Sequence, residues 1–121
     1  MKRAMLLVLL VATAGCGRKT TGDLLAQLKD PDVTRRRQAI RELGAVRGEA
    51  ERVVPALTEA LRDDSPYVRH DAATTLPKFG DAARPALPAL KTALKDQDYN
   101  VRHAAGAALK RISPNQTSQR P

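Results

Sequence analysis

The residues of this 121-residue chain best suited to catalysis or metal binding are two histidines and one cysteine. His70 and His103 stand 33 positions apart, and imidazole serves both as a general base and as a metal ligand. A structural zinc site takes four Cys or His ligands, which the chain cannot supply. Asp71 follows the first histidine but Ala104 follows the second, so a paired His–carboxylate site is also incomplete. We therefore expect no metal, no cofactor and no catalytic residue.

Cys16 is the only cysteine, and it ends a segment with the layout of an export signal. Lys2 and Arg3 give a positive start, and the run 4–14 is apolar except for one threonine. Such a run is shorter than the ~20 residues that cross a bilayer as a helix. A charged start, an apolar centre and small residues before a cleavage point are typical of a secretory signal. We expect residues 1–15 to be removed.

The sequence Thr13-Ala14-Gly15-Cys16 resembles the lipobox of bacterial lipoproteins, although Thr13 stands where Leu is usual. The resemblance implies that the sulfur of Cys16 receives a diacylglycerol and that residues 16–20 form a lipidated linker. It places the protein in a bacterial cell envelope, in the periplasm or at the outer membrane. Two acyl chains are enough for stable anchoring. A plain secretory signal and an N-terminal anchor helix are the alternatives.

A 33-residue period organises the rest of the chain. Three units follow from it, at roughly 21–46, 47–82 and 83–113, and each contains two stretches with apolar residues at helical spacing. The recurring elements are Pro55-Ala56-Leu57-x-x-Ala60-Leu61 with Pro88-Ala89-Leu90-x-x-Ala93-Leu94, Asp63 with Asp96, and Val68-Arg69-His70 with Val101-Arg102-His103.

This pattern predicts an all-α fold, an α-solenoid of about three helical hairpins with six helices over residues 21–113. Residues 114–121 are polar and are expected to form a disordered tail. An all-β fold is disfavoured because only 2% of the residues are aromatic. Cap and breaker residues predict where the second helix of each unit begins or ends. They are Asp30-Pro31, Ser65-Pro66 and Asp98 at the starts, and Gly44, Pro77 and Gly80 at the ends.

The spacing of these residues is similar to that of HEAT repeats, in the short form also found in phycobilin lyases. Units two and three carry the motif Pro-Ala-Leu-x-x-Ala-Leu-x-Asp, a turn, and a Val-Arg dipeptide. Unit one departs from it, because its turn is two residues shorter and Thr34 stands where Arg is expected. The resemblance implies that the second helices line a concave groove. It also implies a structural ladder between repeats, formed by Asp63, Arg69, Asp96 and Arg102.

The resemblance further implies a protein-binding role. The formal charge is +8, from 21 basic and 13 acidic residues. Loss of Lys2 and Arg3 leaves 19 basic residues and a charge of +6, which favours an acidic protein partner. We expect no nucleic acid partner, since no aromatic residue is interleaved among the arginines at 35–37. The predicted contact residues are Arg35, Arg36, Arg69, His70, Arg102 and His103.

The sequence therefore predicts a monomeric, membrane-anchored scaffold for protein–protein interaction that is not an enzyme. The alternative is a lyase-like or metal-dependent HEAT-repeat enzyme that uses His70 and His103. Some HEAT-repeat hydroxylases bind di-iron through paired His-Glu motifs, and neither histidine here is followed by Glu.

Overall fold

The computed structural model describes residues 17–114, which contain six α-helices, one 3₁₀ segment and no strand. The predicted all-α architecture is confirmed. The predicted signal, Cys16 and the tail beyond Pro114 lie outside these residues. Within the described range, no helix is long and apolar enough to cross a membrane. The elements are α1 (Thr21–Gln27), α2 (Val33–Leu43), α3 (Ala50–Ala60), α4 (Pro66–Thr75), the 3₁₀ segment Leu76–Ala86, α5 (Leu87–Ala93) and α6 (Tyr99–Ile112).

Polar residues fix the starts of three helices. Thr20 and Asp23 form a capping box at α1, where each side chain accepts a hydrogen bond from the other residue's backbone N–H. Asp98 caps α6 as predicted, by accepting from the backbone N–H of Val101 at 3.0 Å. The prediction that Asp30 starts α2 is wrong. Asp32 is the N-cap, since its carboxylate accepts from the N–H of Thr34 at 2.8 Å.

The ends of α2 and α4 have different causes. Helix α4 stops at Thr75, as the position of Pro77 predicts, because proline lacks an N–H and crowds the preceding turn. Gly80 lies in the following 3₁₀ segment with φ 58° and ψ −130°, a backbone conformation that only glycine adopts without strain. Gly44 has ordinary helical angles. It is required because a Cβ there would lie 2.9 Å from Thr75 Cγ2 on the neighbouring repeat.

The hairpins stack through their second helices. Helices α2, α4 and α6 pack side by side, and the first helix of each hairpin packs against its own second helix or the 3₁₀ segment. Grooves of about 510 and 420 Å³ lie at the turns within the hairpins, one between the ends of α1 and α3 and the other between the turn after α3 and α5. We call the surface formed by α2, α4 and α6 the inner face. Alanines at the helix contacts, Ala72, Ala73, Ala104, Ala105 and Ala108, are all buried and allow this approach.

Candidate protein-binding surface

Arg69 and Asp96 join the second repeat to the third. Arg69 Nε and Nη2 donate to the two carboxylate oxygens of Asp96 at 2.9 and 3.1 Å. Arg69 Nη1 donates to the backbone carbonyls of Asp63 and Asp64, which holds the guanidinium in place. The Asp96 carboxylate also accepts from the N–H of Asp98 at 2.9 Å. This bidentate, mostly buried pair is the strongest kind of charge-assisted contact.

Arg36 makes the equivalent contact between the first and second repeats. Its Nη2 donates to Asp63 Oδ1 at 3.0 Å, and its Nη1 donates to the carbonyls of Asp30 and Pro31. Arg36, Arg69 and Arg102 are therefore equivalent, each one 33-residue period from the next. The predicted departure in unit one is wrong: its turn has the same length, and Arg36, not Thr34, holds the motif position.

The three consecutive arginines of α2 point in different directions, because successive helical residues are rotated by about 100°. Arg35 faces solvent with 66% of its side chain exposed, whereas the Arg36 side chain is 13% exposed. Arg69 is similarly covered, at 17%. Arg36 and Arg69 thus have most of their hydrogen-bonding groups occupied within the chain. Arg35, His70 and His103 remain on the accessible surface, and Arg102 is half-buried.

A second contact joins the first two repeats, and its residues do not recur with the 33-residue period. Arg37 Nε donates to Asp71 Oδ2 at 2.8 Å, and this hydrogen bond raises the pKa of Arg37. Arg41 and His70 Nδ1 also lie near the Asp71 carboxylate, at 4.0 and 3.5 Å. Asp71 is buried, so its charge requires these partners. The third repeat has Ala104 at the equivalent position, and no repeating signal marked Asp71.

The inner face carries exposed aromatic side chains that the sequence reasoning missed. Tyr67 and Tyr99 are 64% and 68% exposed, and the Arg37 guanidinium carbon lies 5.3 Å from the centroid of the Tyr67 ring. Tyr99 stacks on His103 with 6.2 Å between ring centroids. No aromatic residue lies among the arginines of α2 in the sequence, but Tyr67 of the next helix along the stack packs against Arg37.

An open groove of about 280 Å³ runs across the three second helices beside these tyrosines. We call it the aromatic groove, and its lining residues are Arg37, Pro66, Tyr67, His70, Asp98 and Asn100. His70 is half-exposed there. Among residues 17–114, no group of three or more His, Cys, Asp or Glu side chains is arranged to hold a metal ion.

The fold is similar to that of a solved enzyme complex. Over 85% of its length the chain matches, at 30% identity and a TM-score of 0.73, a chain in the structure of the complex of CpcE and CpcF of phycocyanin lyase from Nostoc sp. PCC7120. The chain covers 40% of that protein chain. No curated protein matches it. This similarity to part of a lyase complex contradicts the prediction that the protein is not an enzyme.

The family is shown by a match over most of the chain. The model of the HEAT repeats matches residues 21–110, which include all six helices up to the last turn of α6. The repeat length, the Asp–Arg contacts between repeats and the packing of the second helices agree with this match. The chain belongs to the HEAT-repeat family.

Proposed function

We propose that this protein is a HEAT-repeat scaffold that binds another polypeptide through its inner face and works in a lyase-type enzyme assembly. The observation that carries the proposal is the exposure of Tyr67 and Tyr99 on that face. Exposed aromatic rings on neighbouring second helices are typical of a protein-interaction surface. Tyr and Arg are also the residue types that contribute most to binding at protein interfaces.

The form of the aromatic groove favours a polypeptide over a small molecule. Small-molecule sites are mostly enclosed, apolar cavities of ~300–1,000 Å³. The groove is open, is about 280 Å³ in volume, and presents Arg37, His70 and Asp98 at its walls. An acidic partner fits the surroundings, because Arg35 and Arg41 expose about two thirds of their side chains nearby on α2 and the chain carries a formal charge of +8.

Similarity to the phycocyanin lyase complex supports a role in a reaction. His70 is the residue best placed to act chemically, because its Nδ1 lies 3.5 Å from Asp71 Oδ1 and the side chain lines the groove. A neighbouring carboxylate orients an imidazole so that its other nitrogen accepts or delivers a proton. We propose His70 as the general acid–base group of that reaction.

A photo-crosslinking experiment tests the binding face. Replacing Tyr67 or Tyr99 with p-benzoyl-phenylalanine and irradiating the producing cells is expected to give a covalent adduct with one other polypeptide. The same amino acid at Glu51, which is exposed on α3, serves as the control and should give no adduct. Equal yields at all three positions, or no adduct at Tyr67 and Tyr99, would show that the inner face is not the binding surface.

The variant His70→Ala distinguishes a role of His70 in partner contact from a role in acid–base catalysis. If His70 acts only as a contact, the adduct yield at Tyr99 and any lyase activity of the purified complex fall together. If it acts as an acid–base group, activity falls at least ~100-fold, the usual worth of a positioned acid–base group, while the adduct yield is kept. An activity that survives the substitution removes His70 from the chemistry.

Membrane anchoring rests on the lipobox resemblance at Cys16, and we propose that the mature chain begins there with a diacylglycerol. Cys16→Ser is expected to move the protein from the membrane fraction to the supernatant, because a chain without two acyl groups binds bilayers only marginally. Mass spectrometry of the membrane-extracted protein should show a diacylated N-terminus at Cys16. An unmodified Cys16, or retention of the serine variant in the membrane, would contradict the proposal.

A further inference from the structure

In the second repeat, several side chains are buried because the third repeat packs over them. The equivalent side chains of the third repeat are exposed or half-buried. Leu61 is 5% exposed, but Leu94, one period later, is 42% exposed. Leu76 and Ala73 are fully buried, whereas the equivalent Leu109 and Gly106 are half-buried. We call this surface the open face, and its residues are Leu94, Arg102, Gly106 and Leu109.

Arg102 on the open face is held by the same kind of backbone contacts as Arg69, and its guanidinium carbon lies 5.8 Å from the centroid of the Tyr99 ring. Its Nη1 donates to the carbonyls of Asp96 and Gln97 at 2.7 and 3.0 Å, matching the 2.7 and 3.1 Å bonds that Arg69 makes one repeat earlier. Arg69 uses its other two nitrogens to bind Asp96. Within residues 17–114, the corresponding nitrogens of Arg102 contact no carboxylate. Segments 1–16 and 115–121 contain no Asp or Glu.

The opposite end of the stack is closed by polar groups. Lys19 Nζ donates to Gln27 Oε1 at 2.7 Å and lies 3.9 Å from Glu42 Oε1. Gln38 Nε2 donates to Glu42 Oε1 at 2.8 Å. These four residues put hydrogen-bonded polar groups at the start of the stack, where a capping repeat carries polar residues. A second copy docking head to tail would have to break this network and bring two strongly basic chains together.

We propose that the open face binds the end of a helical repeat in another polypeptide. That end carries an aspartate at the turn between two helices, which pairs with Arg102 in the way that Asp96 pairs with Arg69. Small apolar side chains of its helices cover Leu94 and Leu109, as the third repeat covers Leu61 and Leu76. This surface shares none of the lining residues of the aromatic groove, although Arg102 lies over the Tyr99 ring. Crosslinking from Leu94 instead of Tyr99 therefore distinguishes a failure of this inference from a failure of the proposed function.

Photo-crosslinking at Leu94 tests which polypeptide binds the open face. With p-benzoyl-phenylalanine at position 94, irradiation in the producing cells is expected to join the chain to another polypeptide. The attachment point, mapped by mass spectrometry, should lie in a helix pair within a few residues of an aspartate at its turn. An adduct with a second copy of this chain, an adduct far from any carboxylate, or no adduct would each overturn the proposal.

Dependence on Arg102 provides the second condition. Arg102→Gln is expected to lower the adduct yield about tenfold or more, since a charge-assisted bond to a carboxylate is lost. Arg111→Gln removes the same charge from an exposed position of α6 and should leave the yield unchanged. Equal losses from both variants would indicate a general charge effect and would contradict a specific pair at Arg102.

An inserted repeat tests the fit of the open face even if Arg102→Gln disturbs folding. Inserting a second copy of residues 77–109 directly after Leu109 keeps the 33-residue period and places a copy of Asp96 opposite Arg102. The urea midpoint should rise, and changing the inserted aspartate to Asn should lower it again. An insertion that folds without raising the midpoint, or that remains unfolded while the parent chain folds, would show that the open face does not accept a repeat.

Discussion

Asp96→Ala is expected to lower the free energy of unfolding by about 3 kcal/mol, the range found when one partner of a buried ion pair is removed. Three interactions disappear together: the two bonds from Arg69 and the bond from the N–H of Asp98. The Arg69 guanidinium is left mostly buried without its carboxylate. In a solenoid of three repeats the loss falls on one of only two interfaces, so the third repeat should detach first.

Urea denaturation followed by circular dichroism measures this effect. Asp64→Ala removes the same charge from an exposed side chain in the turn between α3 and α4, whose backbone also binds Arg69, and should change stability by less than ~0.5 kcal/mol, as surface substitutions do. A broad or two-step transition in Asp96→Ala, with a single transition in Asp64→Ala, would identify the second interface as the weakened one. Equal stabilities of the two variants would mean that the Asp96 contact is energetically neutral.

The contribution of the Arg69–Asp96 pair to stability changes with pH in a defined direction. Burial tends to raise the pKa of Asp96, but hydrogen bonds from the N–H of Asp98 and from Arg69, with the charges of Arg69 and Arg102, lower the pKa below its ordinary value of 3.8. The folded state therefore binds this proton less readily than the unfolded state. The resulting stability is present above pH 3.8 and is lost as the pH falls through the folded-state pKa. The difference in free energy of unfolding between wild type and Asp96→Asn should therefore decrease as the pH falls below 3.8.

Much of the architecture could be predicted because it depends on periodic features. Stacked repeats need the same contacts at each interface, so the Asp–Arg positions recur every 33 residues and identify the helical hairpins. Unit one misled the alignment because Val33 was matched with Val68, an apolar residue in a similar place. The turn residues Asp30 and Arg36 carry the correct register, since their spacing of six equals that of Asp63 and Arg69.

The features that could not be predicted depend on single contacts between repeats. Asp71 is a lone carboxylate in an apolar stripe, and only the neighbouring helix supplies Arg37 to neutralise it. Tyr67 pairs with Arg37 across the same boundary, and nothing in the spacing of 30 residues suggests their contact. The prediction that the chain is not an enzyme failed for a related reason. It rested on missing catalytic motifs, whereas a repeat protein acts through the surface that its stacked helices form together.

Arg36→Ala and Arg35→Ala are expected to differ in effect although the two arginines are neighbours. Arg36 spans the first interface, with one bond to Asp63 and two to backbone carbonyls, and we expect its loss to cost about 2 kcal/mol. The cost is smaller than for Asp96→Ala because Arg36 binds its carboxylate through one nitrogen, where Arg69 uses two. Arg35 makes a single exposed ion pair with Asp30 at 3.5 Å, which is worth ~0–1 kcal/mol.

Both variants remove one positive charge from the same turn of α2. A difference in their stability therefore reports the position of each arginine on the helix and not the change in net charge. Thermal unfolding should give a clearly lower midpoint for Arg36→Ala and a midpoint close to wild type for Arg35→Ala. Arg36→Lys is expected to recover little of the loss, because an ammonium cannot bind two backbone carbonyls and the Asp63 carboxylate in the fork geometry of a guanidinium. Equal thermal midpoints for Arg36→Ala and Arg35→Ala would show that Arg36 does not stabilise the first interface. Arg36 would then again be a candidate for partner contact, as the sequence predicts.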